Sequence, residues 1–204
     1  MLAARDLTCL RGDRLLFRDL NLSVGAGRAL QIRGPNGCGK TTLLRILCGL
    51  TLAESGTLRW RGRLLGVHDP DYLRALRYIG HSDGVKLVLS PRENLRIAMA
   101  LETGVDESAL EGALAALGLV DFMDVQCRTL SAGQRRRVAL ARLTLGGARL
   151  WLLDEPFTAL DSAASDTVRA LIDAHLNDGG CAVLTSHQPI RIDAAKSASI
   201  ELGS

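Results

Sequence analysis

The stretch Gly34 to Thr41, GPNGCGKT, constrains this chain more than any other. It matches the phosphate loop G-x-x-x-x-G-K-[ST] in full, follows the apolar run ALQIRG and opens the helical pattern TTLLRILCGL. Glycines let successive backbone N–H groups turn inward around phosphate oxygens, and the helix start adds positive potential. Gly34, Pro35, Asn36, Gly37, Cys38, Gly39, Lys40, Thr41 and Thr42 are therefore candidates for holding a nucleoside triphosphate. Lys40 can reach the β- and γ-phosphates, and the Thr41 hydroxyl can hold Mg²⁺.

The rest of the chain agrees with an α/β core. LWLLD and CAVLTSH are continuous apolar runs, the pattern of strands buried on both faces. LWLLD ends in Asp154, placed to join the Mg²⁺ shell, and Glu155 follows, where a carboxylate can polarise an attacking water. Residues 2–33 read as short alternating strands, DSAASDTVRALIDAHL as a helix and SASIEL as a last strand. From about Asp71 to Ala148 the period is mostly helical, with DPDYLRALR, SPRENLRIAMAL and DESALEGALAALGL as its helices, so a helical insert spans roughly 85–148.

Composition closes off several classes. Hydrophobic residues make up 47% but aromatics only 3%, which demands an aliphatic core. A net charge of +3 from 25 basic and 22 acidic side chains argues for neither nucleic acid nor a membrane surface. Five cysteines without CxxC spacing point to reduced thiols rather than a disulfide framework or a zinc site. No signal-peptide pattern opens the chain, and no apolar run approaches the roughly 20 residues a membrane span needs. His68 and His175 read as ordinary core or surface histidines.

A second stretch, LSAGQRRRVALARL from Leu130 to Leu143, also offers an anion a helix start. Ser131 with Gln134 three residues on forms a capping box for a helix that Gly146-Gly147 ends. Capping needs only Ser and Gln. Gly133 adds close backbone approach, which suits a γ-phosphate. Because this helix belongs to the insert, it cannot easily curl back onto its own phosphate loop, whereas a second copy of the chain, rotated head to tail, could present it.

Together, GPNGCGKT, LSAGQ, LWLLDEP, TALD (158–161) and His187 after CAVLTS resemble the ATP-binding-cassette ATPases, in order and approximate spacing, over essentially the whole chain. The resemblance implies one α/β P-loop NTPase domain over 1–204. Its parts are a mixed or parallel core sheet, an N-terminal antiparallel β subdomain and an inserted helical subdomain. It implies a homodimer that sandwiches two ATPs, with Ser131, Ala132, Gly133 and Gln134 of one chain on the ATP of the other. It further implies Glu155 as general base, His187 as γ-phosphate sensor, and Asp161 in a loop between the two sites. The family usually stacks an aromatic on adenine. Arg11 begins that segment here, and an arginine plane can stack instead. The family's usual Gln falls on His81, in a loop that links the Mg²⁺ site to the membrane partner.

Within the family, YIGH-x-x-G-V-K followed by Leu-x-x-x-Glu-Asn, LSAGQRRRVALARL and DEPFTALD resembles the ATP-binding subunits of bacterial cytochrome c maturation, known as haem exporters. That resemblance implies a peripheral ATPase on the cytoplasmic face of the inner membrane, beneath integral membrane subunits, serving a haem chaperone indirectly. Nucleic acid is not an expected partner. A cassette for another cargo, or a soluble cassette acting on nucleic acid or the ribosome, is the competing reading. A nucleotide kinase would account for GPNGCGKT but not for LSAGQ or TALD.

Overall fold

The computed structural model describes residues 1–66, 68–100, 106–186, 193 and 195–203. The chain opens with β1 (Leu2–Arg11), β2 (Arg14–Val24) and β3 (Ala29–Arg33), then helix α1 (Lys40–Leu47). Next come β4 (Ser55–Trp60), β5 (Arg63–Leu64), α2 (Pro70–Ala75) and β6 (Leu76–Ile79). Three helices follow, α3 (Pro91–Ala100), α4 (Glu107–Ala116) and α5 (Ala132–Ala141), before β7 (Leu150–Asp154), α6 (Ser162–Asn177), β8 (Cys181–Thr185) and β9 (Ser197–Glu201).

Two sheets result. One is antiparallel, in the order β2-β1-β4-β5, and the other has five parallel strands in the order β6-β7-β8-β3-β9. The parallel sheet explains why its inner strands β7 and β8 are continuous apolar runs. Successive side chains on a strand point to opposite faces, so a strand covered on both sides needs apolar residues at every position. Leu150 and Leu152 of β7 belong to the apolar cluster that holds Leu43, Leu44 and Leu47 of α1. Trp151 and Leu153, the alternate positions, belong to the cluster that holds Val168 and Ile172 of α6. In β8, Cys181 and Val183 divide from Ala182 and Leu184 in the same way. All five cysteines are buried free thiols.

Helices α3, α4 and α5 share the second cluster through Leu95, Met99, Leu110, Leu114, Val138 and Leu140. Arg92 ties α3 to Glu111 at 2.8 Å and to Asp124 at 2.9 Å, and Arg96 reaches Glu107 at 2.7 Å. Exposed pairs of this kind contribute about 0–1 kcal/mol each, so apolar burial holds the helices together.

Two elements depart from the sequence pattern. DPDYLRALR is helical only to Ala75; Leu76–Ile79 is the edge strand β6, paired with β7 from Leu76↔Leu150 to Ile79↔Leu153. The helix period covers only a turn and a half here, and burial of Arg77 and Ile79 alternates as a strand requires. Helix α5 stops at Ala141, and Arg142–Thr144 tighten into a 3-10 turn. Leu143 and Leu145 bury there, so the chain enters the core before it reaches Gly146.

Among the described residues no helix is long and apolar enough to cross a membrane.

Candidate functional site

Because β6, β7, β8 and β3 run parallel, their carboxyl ends share one edge of the sheet, the place where α/β proteins bind ligands. Gly34 follows β3 there, Glu155 follows β7, Ser186 follows β8, and Gly80-His81 follow β6. A cleft of about 260 Å³ opens at this edge, lined by Arg11, Leu16, Asn36, Gly37, Gly39, Lys40, Thr41, Thr42, His81 and Glu155. Residues far apart in sequence thus meet around one volume: the phosphate loop, the acidic strand end, and both positions where the family pattern is altered.

The loop's shape requires glycine at specific points. Gly34 and Gly39 have φ of 145° and 110°, and a Cβ on Gly34 would sit 2.3 Å from the Leu202 carbonyl oxygen. Helix α1 starts at Gly39 with no side-chain cap, whereas Asp69, Asp106, Ser131 and Asp161 cap α2, α4, α5 and α6. The first N–H groups of α1 therefore keep their capacity for an anion in the cleft. Lys40 is buried, and its Nζ donates to the carbonyls of Gly34 at 2.8 Å and Pro35 at 3.1 Å. Those bonds hold the ammonium across the loop, where a phosphate would meet it. Pro35 and Cys38 turn to the back of the loop, against Gly203 and Gly34.

Thr41 Oγ1 donates to Asp154 Oδ2 at 2.7 Å, and Thr185 Oγ1 donates to Asp154 Oδ1 at 2.6 Å. The Glu155 N–H donates to Thr185 Oγ1 at 2.9 Å, and Thr158 Oγ1 donates to Glu155 Oε2 at 3.4 Å. Glu155 adopts a left-handed φ of 49°, a strain on the order of 1 kcal/mol that its hydrogen bonds maintain. Hydroxyl and carboxylate of Thr41 and Asp154 are hard oxygen donors suited to Mg²⁺, which commonly takes one or two such ligands plus phosphate oxygens and water. Among the described residues no group of three or more His, Cys, Asp or Glu converges to hold a metal alone. The site fits a cation that arrives with a triphosphate. Burial pushes the Tyr78 phenol up to about 12, with the Asp154 carboxylate adding to the effect, so Tyr78 stays neutral beside it. Its ring lies against Gly80, where a Cβ would come within 3.1 Å of the hydroxyl.

The start of α5 lies elsewhere. Neither Ser131, Ala132, Gly133 nor Gln134 lines the cleft of its own chain. The capping box is complete: Gln134 N–H donates to Ser131 Oγ at 3.1 Å and Ser131 N–H to Gln134 Oε1 at 2.7 Å. A hydroxyl that accepts one bond can still donate one, and the N–H groups of Ala132 and Gly133 have no acceptor within the helix. Gly133 has a further reason to be glycine, since a Cβ there would lie 2.6 Å from the Ala159 carbonyl oxygen. The three arginines that give this helix its basic look turn inward: Arg135 donates to Leu130 O, Arg137 to Leu117 O, and Arg136 is 3% exposed. Asp161 caps α6 through Ala164 N–H at 2.8 Å. His187 lies outside the described residues. His175 stacks on Trp151 with centroids 3.8 Å apart and is half-buried, and that burial pulls its pKa down.

Sequence reasoning missed Arg136 and Thr185. Thr185 carried a signal, a hydroxyl ending an apolar run; Arg136 carried none that set it apart from its neighbours.

The family model described as ABC transporter matches residues 17–158. A cytochrome c biogenesis ATP-binding export protein CcmA of Aromatoleum aromaticum is 53% identical over 190 residues, covering 92% of this chain and 89% of that protein. The protein of the same name from Methylococcus capsulatus is 49% identical over 192 residues, covering 94% and 93%. Among solved structures, a putative ABC transporter ATP-binding protein from Pyrococcus furiosus superposes with a TM-score of 0.84 at 23% identity, over 98% of this chain and 96% of that one. The dimeric ATP-binding cassette MJ0796 bound to ADP and Pi gives 0.81 at 24%, over 92% and 88%. These structural likenesses bear on the fold.

Proposed function

Since the chain belongs to the ABC transporter family, and by its relatives to the cytochrome c biogenesis ATP-binding export proteins within it, we propose that it is the ATP-hydrolysing subunit of a haem-export complex for cytochrome c biogenesis. One observation carries this reading: a single cleft joins Lys40, Glu155 and Thr41 with its partner Asp154, while Ser131–Gln134 are not among the residues that line it. Lys40 and the bare start of α1 bind the phosphates of ATP. Thr41 and Asp154 hold Mg²⁺, which when bound neutralises charge on the β- and γ-phosphates. Glu155 takes the proton of the attacking water, and His187 contacts the γ-phosphate. Arg11 and Leu16 also line the cleft, and the Arg11 plane is the one offered to adenine.

Two copies close head to tail, and Ser131, Ala132, Gly133 and Gln134 of each complete the other's site, with Asp161 between the two. The membrane subunits dock on the shallow groove between residues 83–86 and α3, flanked by Leu87 and Val88, which are 49% and 69% exposed. His81 stands between that groove and the cleft and couples one to the other. On this reading the chain works at the cytoplasmic face of the inner membrane, with a haem chaperone as an indirect partner. The relatives, named for export in cytochrome c biogenesis, favour a cargo of that process over an unrelated one.

The test is complementation in cells that lack their own copy of the subunit, scored by haem-staining of c-type cytochromes. The parent chain should restore them. Val88→Asp puts a charge on the docking face, so the purified protein should keep its ATPase rate while cytochrome c maturation falls at least about ten-fold, as loss of a well-buried interface contact allows. Normal maturation with Val88→Asp would move the membrane subunit to another face.

A further inference from the structure

Arg136 differs from every other arginine on α5. Its Nη1 donates to Gly80 O at 2.8 Å and Asp83 Oδ1 at 3.0 Å, and its Nη2 to Asp154 O at 2.7 Å and Glu155 O at 2.9 Å. One buried guanidinium therefore ties α5 to the mouth of β7 and to the segment that carries His81. Three of its four acceptors are neutral carbonyls, and the one carboxylate, Asp83, is 27% exposed. A buried cation so partnered adds little net stability; its effect is on geometry. The carbonyl it holds at Glu155 belongs to a residue in left-handed conformation, whose N–H is held from the other side by Thr185. Gly133, three residues earlier on α5, touches Ala159 beyond the same strand end, giving the helix a second contact with this corner.

We propose that Arg136 is a positioning residue that locks the start of α5 to this chain's own Glu155 and His81. Engagement of a partner's ATP by Ser131–Gln134 then sets the geometry of the base and the coupling segment in the same chain. The inference rests on the reading of the chain as an ATPase whose α5 start serves a second copy. Only a planar fork satisfies two pairs of acceptors at once; a lysine ammonium keeps the charge and loses the fork.

The deciding variant is Arg136→Lys, assayed as the full chain with Mg²⁺ and ATP. kcat should fall about a hundred-fold, the loss that a misplaced catalytic group produces. KM, and the ATP affinity of the single chain by calorimetry, should stay within a few-fold. As a slow enzyme, Arg136→Lys should also be trapped by ATP as a dimer in gel filtration. Unchanged kcat overturns the proposal, and so does a fall in kcat accompanied by loss of ATP affinity or of the dimer, which would mark a purely structural role. Should Arg136→Lys not be recovered folded, Asp83→Ala decides: its partly exposed side chain can be removed without opening the core. A several-fold lower kcat at unchanged KM supports the proposal, and a parent-like kcat refutes it. A parent chain that hydrolyses no ATP removes instead the reading beneath it, and the same assay reports that separately.

Discussion

Glu155→Gln should bind ATP as the parent chain does and hydrolyse it about 10²- to 10⁴-fold more slowly, the range that removal of a general base produces. Glutamine has the size of glutamate, and the backbone at this position is fixed independently of the side chain, by Thr185 on the N–H and Arg136 on the carbonyl. What changes is the capacity to take a proton from water. Lys40→Ala should behave differently, because the lysine is buried across the loop with its ammonium on Gly34 and Pro35 carbonyls. Removing it takes away a positive charge that meets the phosphates, so ATP affinity itself should drop. Calorimetry separates the two cases, and equal affinity losses in both variants would refute this division of roles.

Adding Ser131→Arg to Glu155→Gln should abolish the ATP-dependent dimer while leaving the single chain's affinity for ATP within a few-fold. In the Glu155→Gln background ATP should be hydrolysed slowly and should hold two copies together, a stabilisation that grows with the free nucleotide concentration. Ser131 is exposed, and neither it nor Ala132 nor Gly133 lines its own chain's cleft. A bulky arginine there should leave nucleotide binding by the same chain untouched and should block approach to a second chain's γ-phosphate. Gel filtration with and without ATP reads the dimer. A large loss of monomer affinity would mean that α5 grips ATP within its own chain.

The phosphate loop, the two acidic residues and the capping box were legible because each is a local pattern with a local cause. Lys40, Asp154 and Glu155 end or begin elements whose apolar periods are plain, and the parallel sheet carries them to one edge. What could not be read is contact across the chain. β6 is four residues long and takes its strand form from β7, not from its own period. Three consecutive arginines look alike in sequence, yet only the middle one points into the corner between α5, β6 and β7. Gly133 was legible as a place of close approach, but Ala159 as the neighbour it makes room for was not.

The back of the phosphate loop is made by the other end of the chain. β9 pairs with β3, Leu202 N–H donates to Arg33 O at 2.9 Å, and Gly203 lies against Pro35 and Cys38. During synthesis the loop's sequence emerges well before β8 and β9, the strands that flank β3. At roughly 5–20 residues per second the motif waits on the order of ten seconds for its neighbours. Contacts so distant in sequence also form slowly. Ribosome-bound chains arrested before β8 should therefore pass through ATP-agarose unretained, and fully emerged chains should be held. A nascent cassette should be blind to the cell's nucleotide until its core is closed.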